Sequence, residues 1–130
     1  MKKTVFALIA AILFLGGCAM RQHPIMQVNN APIHANGGDD AVAAKIKTAL
    51  SNRGWQVVAE EPGKITAQFV KVNPSVGQHS VTILIPYDAD SYSIEFVTSE
   101  NMMYDADKHV IHRNYNRWVA NLEKDLAELN

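Results

Sequence analysis

Between Trp55 and Phe96 apolar and polar residues alternate with a period of two in four successive stretches. Trp55, Val57 and Ala59 share one side of the first, Ile65, Ala67 and Phe69 of the second, Val81, Ile83, Ile85 and Tyr87 of the third, and Tyr92, Ile94 and Phe96 of the fourth. Such alternation turns one side of a strand toward a core. Glu61-Pro62-Gly63-Lys64 carries Pro and Gly at the central positions of a type II turn. Asn73 to Gln78 forms the next loop, and Asp88-Ala89-Asp90 the last. Connections this short predict an antiparallel meander with one covered face. Helical spacing flanks the four strands. Asp39 and Asp40 precede Val42, Ile46, Ala49 and Leu50, and Arg53-Gly54 supplies a basic last turn and a glycine stop, which predicts a helix over 40–53. Ile111, Tyr115, Trp118, Val119, Leu122, Leu126 and Leu129 recur at spacings of three and four, which predicts a long C-terminal helix. The expected fold is an α+β two-layer sandwich in the order helix, four-stranded antiparallel meander, helix, with both helices on one sheet face.

The N-terminal stretch follows a different logic. Lys2-Lys3 precede an apolar run from Val5 to Leu15, then Gly16-Gly17-Cys18. A basic start, a short apolar run and small residues form an export signal, whereas spanning a bilayer takes about 20 apolar residues. Leu15-Gly16-Gly17-Cys18 resembles the bacterial lipobox. That resemblance implies cleavage after residue 17, lipidation of Cys18 (palmitate among its acyl chains) and lasting attachment, since two or three chains hold a protein where one does so only marginally. Ala19 is not the aspartate that retains enterobacterial lipoproteins at the inner membrane, so the analogy implies the periplasmic face of the outer membrane. Residues 18–38 hold Pro24, Pro32, Asn29-Asn30 and Gly37-Gly38 without a sustained apolar period. They read as a lipidated start followed by a flexible tether, with 39–130 as the single folded domain. Met20, His23, Met26 and His34 in that stretch are scattered soft ligands with no fixed geometry.

Composition narrows the class. Removing Lys2 and Lys3 from the 12 basic residues leaves 10 against 13 acidic ones, a formal charge of −3. A mildly acidic surface does not select for nucleic acid. Apolar residues make up 48% and charged residues 19%, an ordinary folded domain. Cys18 is the single cysteine, so once acylated it leaves nothing for a disulfide, a thiol nucleophile or a thiolate metal site.

Arg53-Gly54-Trp55, Pro62-Gly63-Lys64-Ile65, Tyr92-Ser93-Ile94-Glu95-Phe96 and Ile111-His112-Arg113-Asn114-Tyr115-Asn116-Arg117-Trp118-Val119-Ala120-Asn121-Leu122 together resemble a group of small, uncharacterised proteobacterial lipoproteins. The likeness runs from Asp40 to Leu129 and implies a location and a fold, with no catalytic residues to carry over.

The candidate chemistry is sparse. Asp105, Asp107, His109 and His112 lie within eight positions, with donor types a divalent metal accepts, and the two histidines would share a helix face if the helix began by residue 108. Carboxylates also gather at helix starts unaided, so the cluster is expected to be structural and the domain to hold no cofactor. Tyr104, Tyr115 and Trp118 offer ring faces to a glycan or peptide, although Tyr115 and Trp118 sit on the apolar stripe and are expected in the core. Arg113 and Arg117, four apart, suit a carboxylate or phosphate. Asp88 and Asp90 belong to a turn. No nucleophile elbow, phosphate-cradling glycine loop or His-Glu-x-x-His helix is present. The expected function is that of a membrane-anchored, non-enzymatic interaction or accessory module of the cell envelope, its partners the membrane and an envelope protein complex. The alternative is a periplasmic binding protein for a metal ion or an envelope glycan.

Overall fold

The computed structural model describes residues 21–128, so the export signal, Cys18 and Leu129 lie outside the described residues. The chain is α+β. Its elements are β1 (Gln22–Pro24), β2 (Val28–Pro32), α1 (Gly38–Asn52), β3 (Gln56–Glu61), β4 (Lys64–Asn73), β5 (Gly77–Pro86), β6 (Ser91–Glu100), β7 (Val110–His112) and α2 (Arg113–Glu128). Strands β3 to β6 form the expected meander, and β2 adds a fifth, giving the antiparallel order β2-β6-β5-β4-β3. β1 and β7 pair separately as a two-stranded antiparallel sheet.

Two expectations are thereby corrected. The stretch read as a flexible tether is built into the domain from Arg21 onward. Val28 pairs with Ile94 and Ala31 with Tyr92, while Val28 and Ile33 are buried in the main core. Polar composition disguised it, because an edge strand needs only one or two inward side chains and solvates the rest. The C-terminal helix begins at Arg113, two residues after Ile111, which instead sits fully buried in β7 opposite His23.

The core follows the period-two register. Ile65 lies opposite Ile85, Ala67 opposite Ile83 and Phe69 opposite Val81, so their side chains stack in rows across the sheet. One continuous cluster unites them with Ile46 and Leu50 of α1 and Tyr115, Val119, Leu122 and Leu126 of α2. In β3 a bulge between Val57 and Ala59 interrupts the alternation, and all six residues are exposed. Trp55, just before that strand, is buried.

The end of α1 shows how the local sequence fixes its neighbour. The Trp55 N–H donates to the Leu50 carbonyl and the Gly54 N–H to that of Ser51, the paired bonds of a Schellman cap. Gly54 takes φ +81°, which a side chain would make strained, and Trp55 and Leu50 close the motif as buried apolar neighbours. Arg53 caps the helix and sends its guanidinium to Asp125 of α2, Nε to Oδ2 at 2.7 Å and Nη2 to Oδ1 at 2.9 Å. At the β5–β6 turn the Asp88 Oδ1 accepts the N–H groups of Asp90 and Ser91, as turn chemistry requires.

Candidate functional site

The segment joining β6 to β7 turns on residues that hold unusual backbone. Asn101, Met103 and His109 adopt φ of +56°, +55° and +53°. Asn and His tolerate this left-handed region, but for Met it is uncommon and costs energy that the surroundings must offset. Those surroundings are specific. The Asn101 Nδ2 donates to the Val76 and Gln78 carbonyls, and its own carbonyl accepts from His79 Nδ1. Met102 is buried and its carbonyl accepts the His112 N–H at 2.7 Å. The Met103 carbonyl accepts from Gln22 Nε2, and the His109 carbonyl from the Ile25 N–H.

The last two bonds hold the segment against the N-terminal stretch, and a cleft of about 450 Å³ lies between them. Pro24, Ile25, Gln27 and Asn29 form one wall; Ile94, Glu95 and Phe96 of β6 lie at the back; Tyr104 and His109 close the other side. The cleft opens where β2, last paired to β6 at Val28–Ile94, peels away toward β1. The Asn116 side chain secures that departure, with Oδ1 accepting the Met26 N–H and Nδ2 donating to the Pro24 carbonyl. The rings of Phe96 and Tyr104 meet with centroids 4.6 Å apart, and Phe96 in turn touches the buried Tyr115 edge-on at 5.6 Å. The site therefore offers a supported aromatic surface, two side-chain amides, a carboxylate and an imidazole. A supported ring surface beside two side-chain amides can stack against a ligand and hydrogen-bond to it.

The residues singled out from sequence are dispersed. Asp105 is a turn residue: its Oδ1 accepts the N–H groups of Asp107 and Lys108, and its backbone exchanges two hydrogen bonds with Val110. It opens a turn into β7, which replaces the expected helix start. His109 faces the cleft, whereas His112 Nδ1 accepts the Asn114 N–H at 3.1 Å. Among the described residues no three such side chains gather where they could hold a metal ion. The three aromatic candidates separate too. Tyr104 is 43% exposed, Tyr115 is fully buried, and Trp118 is half-buried against Phe69 at a centroid distance of 4.6 Å. Arg113 and Arg117 are exposed on α2, away from the cleft. Gln27 and Asn29 escaped sequence reasoning because they lie in the supposed tether; Val28 and Ile33, isolated apolar residues bracketing Pro32, were the available signal.

His112 sits in an electropositive neighbourhood. Burial lowers its pKa, and the charges of Arg113, His79, Arg21 and Arg117 lower it further. A neutral ring also fits the hydrogen bond, since Nδ1 accepts only while unprotonated. Because the folded-state value lies below the unfolded one, the unfolded chain takes up the proton first as pH falls. Stability should therefore decline from about pH 6.5 downward through the folded-state pKa. His112→Asn should flatten that decline in thermal melts taken between about pH 7 and 5, leaving the carboxylate-driven loss at lower pH in place.

Among the described residues, no helix is long and apolar enough to cross a membrane. Comparison with family models, with curated proteins and with solved structures finds no match to this chain.

Proposed function

We propose that this protein is a lipoprotein held by acylated Cys18 on the periplasmic face of the outer membrane, where its domain works as a non-enzymatic interaction module of the cell envelope. Both helices are read as covering a single face of the sheet, leaving the sheet's rim at Glu95–Phe96 for contacts. The observation that carries the reading is the cleft between residues 24–29 and 94–109, with ring surface and amides but no assembled acid–base machinery. A photoreactive side chain placed at Gln27 in intact cells tests it. A discrete adduct with one envelope protein is expected, with none from the same group at Thr48 on the exposed side of α1. Equal, diffuse labelling from both positions would remove the cleft from the proposal.

A second reading, an envelope glycan in the same cleft, is favoured by the Phe96–Tyr104 pair, since sugar rings stack on such surfaces while amides take their hydroxyls. Tyr104→Ala should then weaken binding of solubilised cell-wall glycan by about tenfold, the scale of one aromatic contact of about 1.4 kcal/mol. For the anchor, Cys18→Ser should abolish incorporation of labelled palmitate, read directly on the purified chain. Persistent labelling would place the lipid elsewhere.

A further inference from the structure

One end of the molecule collects positive charge that no carboxylate among the described residues pairs with. The backbone N–H of Arg113 donates to the Arg21 carbonyl at 2.7 Å, which brings the first described residue beside the first turn of α2. One turn on is Arg117. Beside them a pocket of about 100 Å³ is lined by Lys71, Asn73, His79, His112, Asn114 and Trp118, with no carboxylate among its walls. Arg21, Lys71, Arg113 and Arg117 are all exposed, and none has a carboxylate within ion-pair distance among the described residues. The fold does pair cations elsewhere: Lys47 with Glu60, Arg53 with Asp125 and Lys64 with Glu61. On a chain with more acidic than basic residues, this concentration of four unpaired cations and two imidazoles is an asymmetry that needs a counterpart.

Its position supplies one. Cys18 precedes Arg21 by three residues, so their Cα atoms lie within about 11 Å however the intervening chain runs. The patch therefore sits at the membrane-proximal end of the domain if Cys18 carries the lipid, a condition inherited from the proposed function.

We propose that Arg21, Lys71, Arg113 and Arg117 form a membrane-docking surface that binds the phosphates of anionic phospholipids in the bilayer holding the lipid anchor. Guanidinium forks suit phosphate oxygens, and the half-buried Trp118 stands among them as an amphipathic ring of the kind enriched at lipid headgroups. Docking fixes the orientation of the domain, so that the end of β4 carrying Lys71 faces lipid and the end carrying Lys64, about 23 Å away along the strand, faces the aqueous space.

The acylated full chain, inserted from outside into preformed vesicles, tests this through the reactivity of Lys71 relative to Lys64 toward a membrane-impermeant amine reagent. On vesicles rich in phosphatidylglycerol the Lys71 signal should fall about tenfold relative to Lys64, and it should recover at about 1 M salt, where charges are screened beyond about 3 Å. Phosphatidylcholine vesicles should leave the ratio unchanged. In Arg21→Gln/Arg113→Gln/Arg117→Gln the protection should vanish, because three cations together contribute roughly a hundredfold to surface affinity at about fivefold each. Equal ratios on both kinds of vesicle would overturn the proposal. So would protection by inorganic phosphate on neutral vesicles, which would make the patch a soluble-anion site. The mass of the N-terminal peptide reports acylation separately: an unacylated Cys18 with Lys71 still shielded on anionic vesicles would remove the anchor and leave the docking surface standing.

Discussion

A chain shortened to begin at Gly38 should fail to reach the native state, although its two helices and the β3–β6 meander would all be present. The segment it lacks provides β2, which covers the outer edge of β6, and β1, which pairs with β7. It also provides Val28 and Ile33, each no more than 3% exposed. Fully burying side chains of this kind contributes about 1.5–3 kcal/mol each, and the exposed β6 edge would add a solvent-accessible strand beside the now uncovered Ile94. Against a total stability of about 5–15 kcal/mol, the loss leaves little margin. The point variant Ile33→Ala isolates one part of it and should cost about 2–5 kcal/mol in chemical denaturation. A flexible tether would give no change in either experiment, so cooperative unfolding of the shortened chain at the wild-type denaturant midpoint would restore that reading.

Tyr115 should respond in opposite directions to two substitutions. Its ring is fully buried beneath Phe96, and among the described residues its Oη has no hydrogen-bond partner; burial raises the phenol's pKa accordingly. Truncation to Ala removes the ring from between the sheet and α2 and should cost about 3–5 kcal/mol. Substitution by Phe keeps the ring and removes only the unpartnered hydroxyl, whose desolvation without compensation costs about 1–3 kcal/mol. Tyr115→Phe should therefore raise the thermal midpoint, by about 4 °C for each kcal/mol recovered in a domain of this size. A midpoint lowered by Tyr115→Phe would mean that the hydroxyl contributes a hydrogen bond.

The parts of the fold legible in the sequence are those in which one physical rule acts alone. Ile65, Ala67 and Phe69, or Val81, Ile83 and Ile85, alternate because both flanking strands are paired and one side meets the core. Gly54 and Gly63 stop a helix and turn a hairpin with positive φ, as their neighbours led one to expect. Legibility failed where a second rule competed. Ile111 stands four residues before Tyr115 and so fits the helical stripe, yet the N–H of His112 is taken by Met102 and its side chain instead bonds the Asn114 N–H inside the new helix. Asp105 and Asp107 look like helix-start acids because the turn that Asp105 opens uses the same residue type. β3 lost its alternation to a bulge that periodicity does not signal. Of the cleft, Phe96 was visible as a strand residue and Tyr104 as a loose aromatic, but what unites them with Gln27 and Asn29 is pairing across more than sixty positions of chain.

That long-range pairing has a consequence for the order in which the protein forms. The meander needs only neighbours in sequence, so β3 to β6 can zip as each strand becomes available. β1 and β2 are made first, yet their partners are β7 and β6, with Gln22 waiting for His112 and Val28 for Ile94. Contacts between distant positions form slowly because the intervening loop must close before they stabilise anything. During synthesis the leading segment waits as a solitary strand, with Val28 and Ile33 in water until β6 has followed. Vulnerability to aggregation and proteolysis is greatest in that interval, and a chaperone that holds Gln22 to Ile33 would protect the strands that must wait longest for their partners.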